Sequence, residues 1–148
     1  MILSELIAPL PRAALTGPGD GVVNGLQDDS RAVRPGEVFV AVRGDAVDGH
    51  RFIEVALEAG ATAIVAEEPA PGTLPAGTAW VLVPDSREAL GVLAATWFDQ
   101  PSLDLRVAGV TGTNGKTTTA FLLHGIMKAA LHRAGLVGTV VFDDGAER

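Results

Sequence analysis

"EVFVAVRGDAVDGHRFIEVALEAGATAIVAEE", residues 37–68, decides the fold. Residues 37–42 form an apolar run bounded by Pro35-Gly36 on one side and Gly44 on the other, which predicts a strand. The period then changes. Phe52, Ile53, Ala56 and Leu57 fall on one face of a helix, and Gly60 is placed to end it. "TAIVAEE", 62–68, reads as a buried strand that stops before Pro69. Strands alternating with helices predict an α/β domain.

The pattern continues outward in both directions. Upstream, "ILSELIA" at 2–8 predicts one or two helical turns stopped by Pro9, residues 11–21 read as loop, and "VVNGL" at 22–26 is a short strand. Downstream, a Pro/Gly-rich loop at 69–78 precedes a strand at 79–83. The helix "DSREALGVLAATWF" follows, with Ala89, Leu90, Leu93, Ala94 and Trp97 on its apolar face. Asp85 or Ser86 can cap this helix, and Glu88 stands three residues after Asp85 as in a capping box. "DQPS" at 99–102 breaks the chain, so the expected domains are 1–101 and 102–148. Past the break, a strand at 105–110, a glycine-rich loop, a helix from about Lys116 to His132 and a strand at 134–142 predict one βαβ unit. A lone unit of that kind cannot cover both faces of parallel strands. The expectation is apolar exposure there, with self-association or disorder after about residue 132.

Composition narrows the function classes. The chain has 148 residues, 47% of them hydrophobic and 20% charged, in the range of a soluble globular protein. A net charge of −7, with no Lys/Arg cluster, argues against general nucleic-acid binding. There is no cysteine, which removes disulfides and cysteine nucleophiles and fits a reducing cytoplasm. The first residues read as no secretory leader, because Glu5 and Pro9 interrupt an apolar run that lacks a basic start. No apolar stretch approaches the ~18 residues of a membrane span. The three histidines, His50, His124 and His132, show no metal-ligand spacing and read as surface or cap residues. Trp80 and Trp97 read as core, and Asp143-Asp144 as a solvated turn with Gly145.

Chemistry concentrates in "GVTGTNGKTTT", 109–119, between the predicted strand and helix. Gly109, Gly112 and Gly115 permit close backbone approach and positive φ, so that successive N–H groups can converge on phosphate oxygens. The helix start adds its positive end, typically worth ~0.3–1 kcal/mol per exposed charge. In this frame Lys116 reaches the β- and γ-phosphates and Thr117 offers a hydroxyl to Mg²⁺. Val110 stands where the strict pattern has its first glycine, so the loop is a variant. In the first domain, "DDSR" at 28–31 combines a hydroxyl with a planar cation, yet the residues alone favour the plainer reading, in which Asp29, Ser30 and Arg31 form a turn closed by an internal salt bridge.

The loop "GVTGTNGKTTT" resembles the ATP loop of the Mur ligases, which build the peptide of bacterial cell-wall precursors. Residues 29–68 resemble the UDP-binding domain of the same family, in the right order along the chain. The tripeptide-synthetase branch is the most similar. MurF-type ligases share the first motif but usually differ where this chain has Thr113 and Ala120. Folylpolyglutamate synthetases usually differ at Thr117-Thr118 and lack the first domain.

The resemblance implies an N-terminal UDP-MurNAc-binding domain followed by the start of a P-loop ATP domain. It implies Gly112, Thr113, Asn114, Gly115, Lys116, Thr117 and Thr118 at ATP, with Lys116 catalytic and Thr117 on Mg²⁺. It implies Asp28, Ser30, Asp45, Ala46 and Val47 at the UDP-sugar, with Gln27 a departure from the family's usual threonine. The activity implied is ATP-dependent joining of a diamino acid, meso-diaminopimelate or L-lysine, to UDP-MurNAc-L-Ala-D-Glu. A second metal site, a carbamylated lysine and an amino-acid-selecting Asn-Pro motif are implied beyond Arg148, so 148 residues alone are expected to show no turnover. Rival readings stay open: a MurF-type ligase, a non-catalytic nucleotide or UDP-sugar module, and an interaction domain with a vestigial loop.

Overall fold

In a computed structural model, residues 1–44, 47–130 and 132–145 are described, and they divide into two compact units, Met1–Leu105 and Arg106–Arg148. The first unit is built on five strands: β1 (Ala14–Thr16), β2 (Leu26–Gln27), β3 (Val38–Val40), β4 (Ala63–Ala66) and β5 (Ala79–Leu82). Their order in the sheet is β1-β5-β4-β3-β2. β2 to β5 run parallel to their neighbours, and β1 pairs antiparallel on the outer edge of β5.

Side-chain alternation explains why both faces of this sheet are apolar. Val38, Val40, Ala63, Val65, Ala79 and Val81 point to one face, where Leu3, Leu6 and Leu93 cover them from α1 (Leu3–Ile7) and α3 (Ser86–Trp97). Phe39, Ile64 and Trp80 point to the other, where Ala56 and Leu57 of α2 (Ile53–Glu58) cover them. A parallel sheet buried on both sides needs continuous apolar runs, and β3 and β4 supply them.

Local chemistry fixes the helix ends. Asp85 caps α3 by accepting from the Arg87 and Glu88 amides, each at 2.9 Å. α2 ends in a Schellman arrangement: Gly60, at φ 93°, donates to the Leu57 carbonyl while Ala61 donates to that of Ala56. Asp99 and Gln100 both take left-handed φ values just past α3, with Pro101 next, so the helix cannot continue. Trp80 is core, with its indole N–H on the Glu68 carbonyl at 2.9 Å, and Trp97 packs partly buried against the α1–α3 side.

The mixed α/β class expected from the sequence is the class observed, and several elements differ in detail. Residues 11–21 contain β1, whose exposed side chains give no burial pattern to read. The strand expected at 22–26 is reduced to a bridge between Val22 and Ile2 followed by β2.

The second unit holds α4 (Lys116–Ala129) and the hairpin β6 (Leu136–Val137) with β7 (Phe142–Asp143). Residues 105–110, expected as a strand, form no ladder, and the single strand expected at 134–142 folds back on itself. A strand exists only by hydrogen bonding to a neighbour, and the antiparallel hairpin supplies one locally. α4 is tied to the hairpin by Lys128, whose Nζ meets Asp143 at 2.9 Å, and by His124, whose ring contacts the Ala134 carbonyl at 3.0 Å. His124 is therefore a packing residue and not a free surface one. Leu105, Val107, Leu122, Ile126, Val137 and Phe142 are all exposed. No helix among the described residues is long and apolar enough to cross a membrane.

Candidate functional site

Four parallel strands place their C-terminal ends along one edge of the first sheet. Just past those ends lie Ser30 after β2, Arg43, Gly44 and residues 47–50 after β3, Glu67 and Glu68 after β4, and Asp85 and Ser86 after β5. Ligands of open parallel sheets bind outside this edge, because loops there diverge over a rigid base.

The turn after β2 is closed by the internal salt bridge. Asp29 Oδ1 accepts from the Arg31 amide at 3.0 Å, and Asp29 Oδ2 pairs with Arg31 Nη2 at 2.7 Å. The Arg31 guanidinium, with the amide, holds the Asp29 carboxyl down at about 2. The Ala32 amide closes the turn on the Asp29 carbonyl. Ser30, between them, is 8% exposed, and its hydroxyl makes no hydrogen bond among the described residues. The salt bridge shapes the turn and leaves the hydroxyl available. Asp28 is exposed at the start of the turn.

The segment after β3 is a narrow hairpin. Arg43 and Asp48 bridge at its base, Gly44 donates to the Val47 carbonyl at 3.0 Å, and Gly49 donates to the Val42 carbonyl at 2.9 Å. A Cβ on Gly49 would stand 2.7 Å from the Val42 oxygen, so glycine is required by close approach. Val47 is 54% exposed. Asp45 and Ala46, also assigned to the UDP-sugar by resemblance, lie outside the described residues.

A polar network below this hairpin was not legible in the sequence. His50, whose side chain is 6% exposed, contacts Asp48 Oδ1 through Nδ1 at 2.6 Å and receives the Glu67 amide on Nε2 at 2.9 Å. Glu67 Oε1 accepts from the amide and hydroxyl of the fully buried Ser86, at 2.9 and 2.8 Å. Arg43 meets Glu67 at 3.2 Å, Glu68 at 3.3 Å and Asp48 at 3.5 Å. The Ser86 donors and the Arg43 charge keep the Glu67 carboxyl ionised below its ordinary range; the His50 amide and ring, with Arg43, do the same for Asp48. The only sequence signal for His50 was its place after Asp48-Gly49, which suggests a cap; its second partner is distant in sequence.

The phosphate loop stands in the second unit. Gly115, at φ 75°, starts α4 in the left-handed region, and no side chain caps the helix among the described residues. Its first amides are therefore open to an external acceptor. Gly112 is also at positive φ, and Lys116 Nζ folds back to donate to the Gly112 and Thr113 carbonyls. Residues 109–118 are exposed throughout. Glycine-shaped backbone, an uncapped helix start and a lysine over the loop fit a nucleotide phosphate. Thr117 is the one loop hydroxyl placed by pattern for Mg²⁺, and no three His, Asp or Glu side chains gather as a metal site among the described residues.

Comparison with known proteins agrees with both units. Residues 22–98, more than half of the chain, match the family described as "Mur ligase family, catalytic domain". A UDP-N-acetylmuramoyl-L-alanyl-D-glutamate--2,6-diaminopimelate ligase of Parabacteroides distasonis is 46% identical over 95% of this chain and 29% of its own. A solved structure with the same ligase title is similar at TM-score 0.74 and 26% identity, over 96% of this chain and 28% of that one. MurF ligase of Thermotoga maritima in complex with ADP is similar at TM-score 0.51 and 37% identity, over 74% of this chain and 24% of that one. The chain thus spans less than a third of the length of the curated relatives it matches.

Proposed function

The chain belongs to the Mur ligase family, and we propose that it supplies the UDP-MurNAc-recognising domain and the ATP loop of a MurE-type ligase. In this reading the strand-end edge of the first unit binds the UDP part of UDP-MurNAc-L-Ala-D-Glu. Ser30 offers its hydroxyl, Asp28 flanks it, and Val47 with Asp45 and Ala46 lines the nucleotide. The second unit begins the ATP site.

The reaction is the joining of a diamino acid, meso-diaminopimelate or L-lysine. ATP would phosphorylate the terminal carboxylate, and the amine would then attack the acyl phosphate, releasing phosphate. The loop residues Gly112, Thr113, Asn114, Gly115 and Thr118 would present amides and hydroxyls to the ATP phosphates, and Lys116 would neutralise the charge that develops during transfer. Thr117 would hold one Mg²⁺, which shields the phosphates. Lys116 would have to exchange the Gly112 and Thr113 carbonyls for phosphate oxygens, which are stronger partners for an ammonium.

The observation that carries this reading is Ser30 at the strand-end edge, a residue only 8% exposed whose hydroxyl makes no hydrogen bond among the described residues, in a chain that also holds the glycine-started phosphate loop. Calorimetric titration with UDP-MurNAc-dipeptide and, separately, with ATP tests it. Binding of the UDP-sugar, lost in Ser30→Ala, supports the reading. ATP binding alone points to a nucleotide module, and binding of neither to an interaction domain.

A further inference from the structure

Resting on that reading, we propose that His50 is the positioning residue of the nucleotide site: one imidazole, in a fixed tautomer, clamps Asp48, and with it the bridged hairpin base at Arg43, onto the end of β4. Hydrogen count fixes the tautomer. The Glu67 amide donates to Nε2, so Nε2 carries no hydrogen. The ring's hydrogen is therefore on Nδ1, where it is donated to Asp48 Oδ1. Asp48 in turn accepts the His50 amide and stands 3.5 Å from the Arg43 guanidinium across the hairpin base.

The ring thus joins two segments from different strand ends by two directional bonds. With a side chain only 6% exposed, it has neither room nor solvent to make others. Glu67 carries the constraint onward. Its amide holds the ring, and its carboxylate holds Arg43 and Ser86 at the start of α3. The hairpin and the ends of β4 and β5 are in this way one polar assembly. His50 contacts no part of the ligand in this scheme; it sets where Val47 and Asp48 stand.

Two measurements on the 148-residue chain test the proposal. The first needs no variant: long-range ¹H–¹⁵N correlation of the His50 ring is expected to show the Nδ1–H tautomer. An Nε2–H tautomer would overturn the clamp. The second is the Kd for UDP-MurNAc-L-Ala-D-Glu, measured well below the melting temperature. His50→Leu is expected to weaken binding about tenfold, the scale of one or two lost hydrogen bonds. His50→Gln, whose amide oxygen can accept the Glu67 amide, is expected to recover most of that loss. Equal affinity in wild type and His50→Leu sinks the inference while leaving the functional reading intact. A wild-type chain that does not bind the UDP-sugar sinks the functional reading itself, and the inference with it.

Discussion

The longest helix of each unit, α3 in the first and α4 in the second, begins in the opposite way to the other. α3 opens on Asp85, whose carboxylate satisfies two amides, and on Ser86, fully buried against Glu67. Its Leu93 is fully buried as well. α4 opens on a left-handed glycine with no side-chain cap, and Leu122 and Ile126 are 63% and 64% exposed. The first unit is held by burial across a sheet, the second by contacts close along the chain and a two-strand hairpin. A helix start closed by its own side chains serves stability; one left open is free to meet an anion.

The sharpest way to break this comparison is to remove a large side chain from each unit. Phe39→Ala, at a fully buried site, is expected to cost ~3–5 kcal/mol in chemical denaturation. Ile126→Ala is expected to stay within ~0.5 kcal/mol. Comparable losses would show that α4 is buried in solution by something outside these contacts.

Gly49→Ala comes next. Its Cβ would press on the Val42 oxygen at 2.7 Å, so the hairpin must shift. The expected cost is ~1–3 kcal/mol, read in the melting curve, with a matching loss of UDP-sugar affinity. Asp85→Ala removes a two-amide cap and is expected to cost ~1 kcal/mol of the first unit's stability.

The smallest effect is electrostatic. Asp29, held down at about 2 from an ordinary 3.8, contributes stability above the higher value and loses it as pH falls through the lower. Carboxyl NMR should place its midpoint near 2 in the wild type and nearer 3.8 in Arg31→Ala. An exposed pair of this kind is screened by solvent, so unfolding should barely register the change.

Legibility followed the range of the interactions. Continuous apolar runs at 37–42 and 62–66, the Asp85 cap and the Gly60 stop act within a few residues, and all could be read in sequence. β1 could not, because its three residues are exposed and its partner is β5, far along the chain. Residues 105–110 have the composition of a buried strand, but composition provides no hydrogen-bond partner. At the site, the phosphate loop was legible because glycine positions and a helix start are local. The His50 clamp was not, since Glu67 and Ser86 reach it only when β3, β4 and β5 align.

The sequence by itself determined the α/β alternation, the phosphate loop and the turn that surrounds Ser30. Each rests on backbone preference or periodicity over a handful of residues. Only the tertiary structure decided that Ser30 is buried with its hydroxyl unbonded among the described residues, and that Asp48, His50, Glu67 and Ser86 form one network at the strand ends. Burial and hydrogen-bond partnership between distant residues are properties of the assembled sheet, and no short window of the chain contains them.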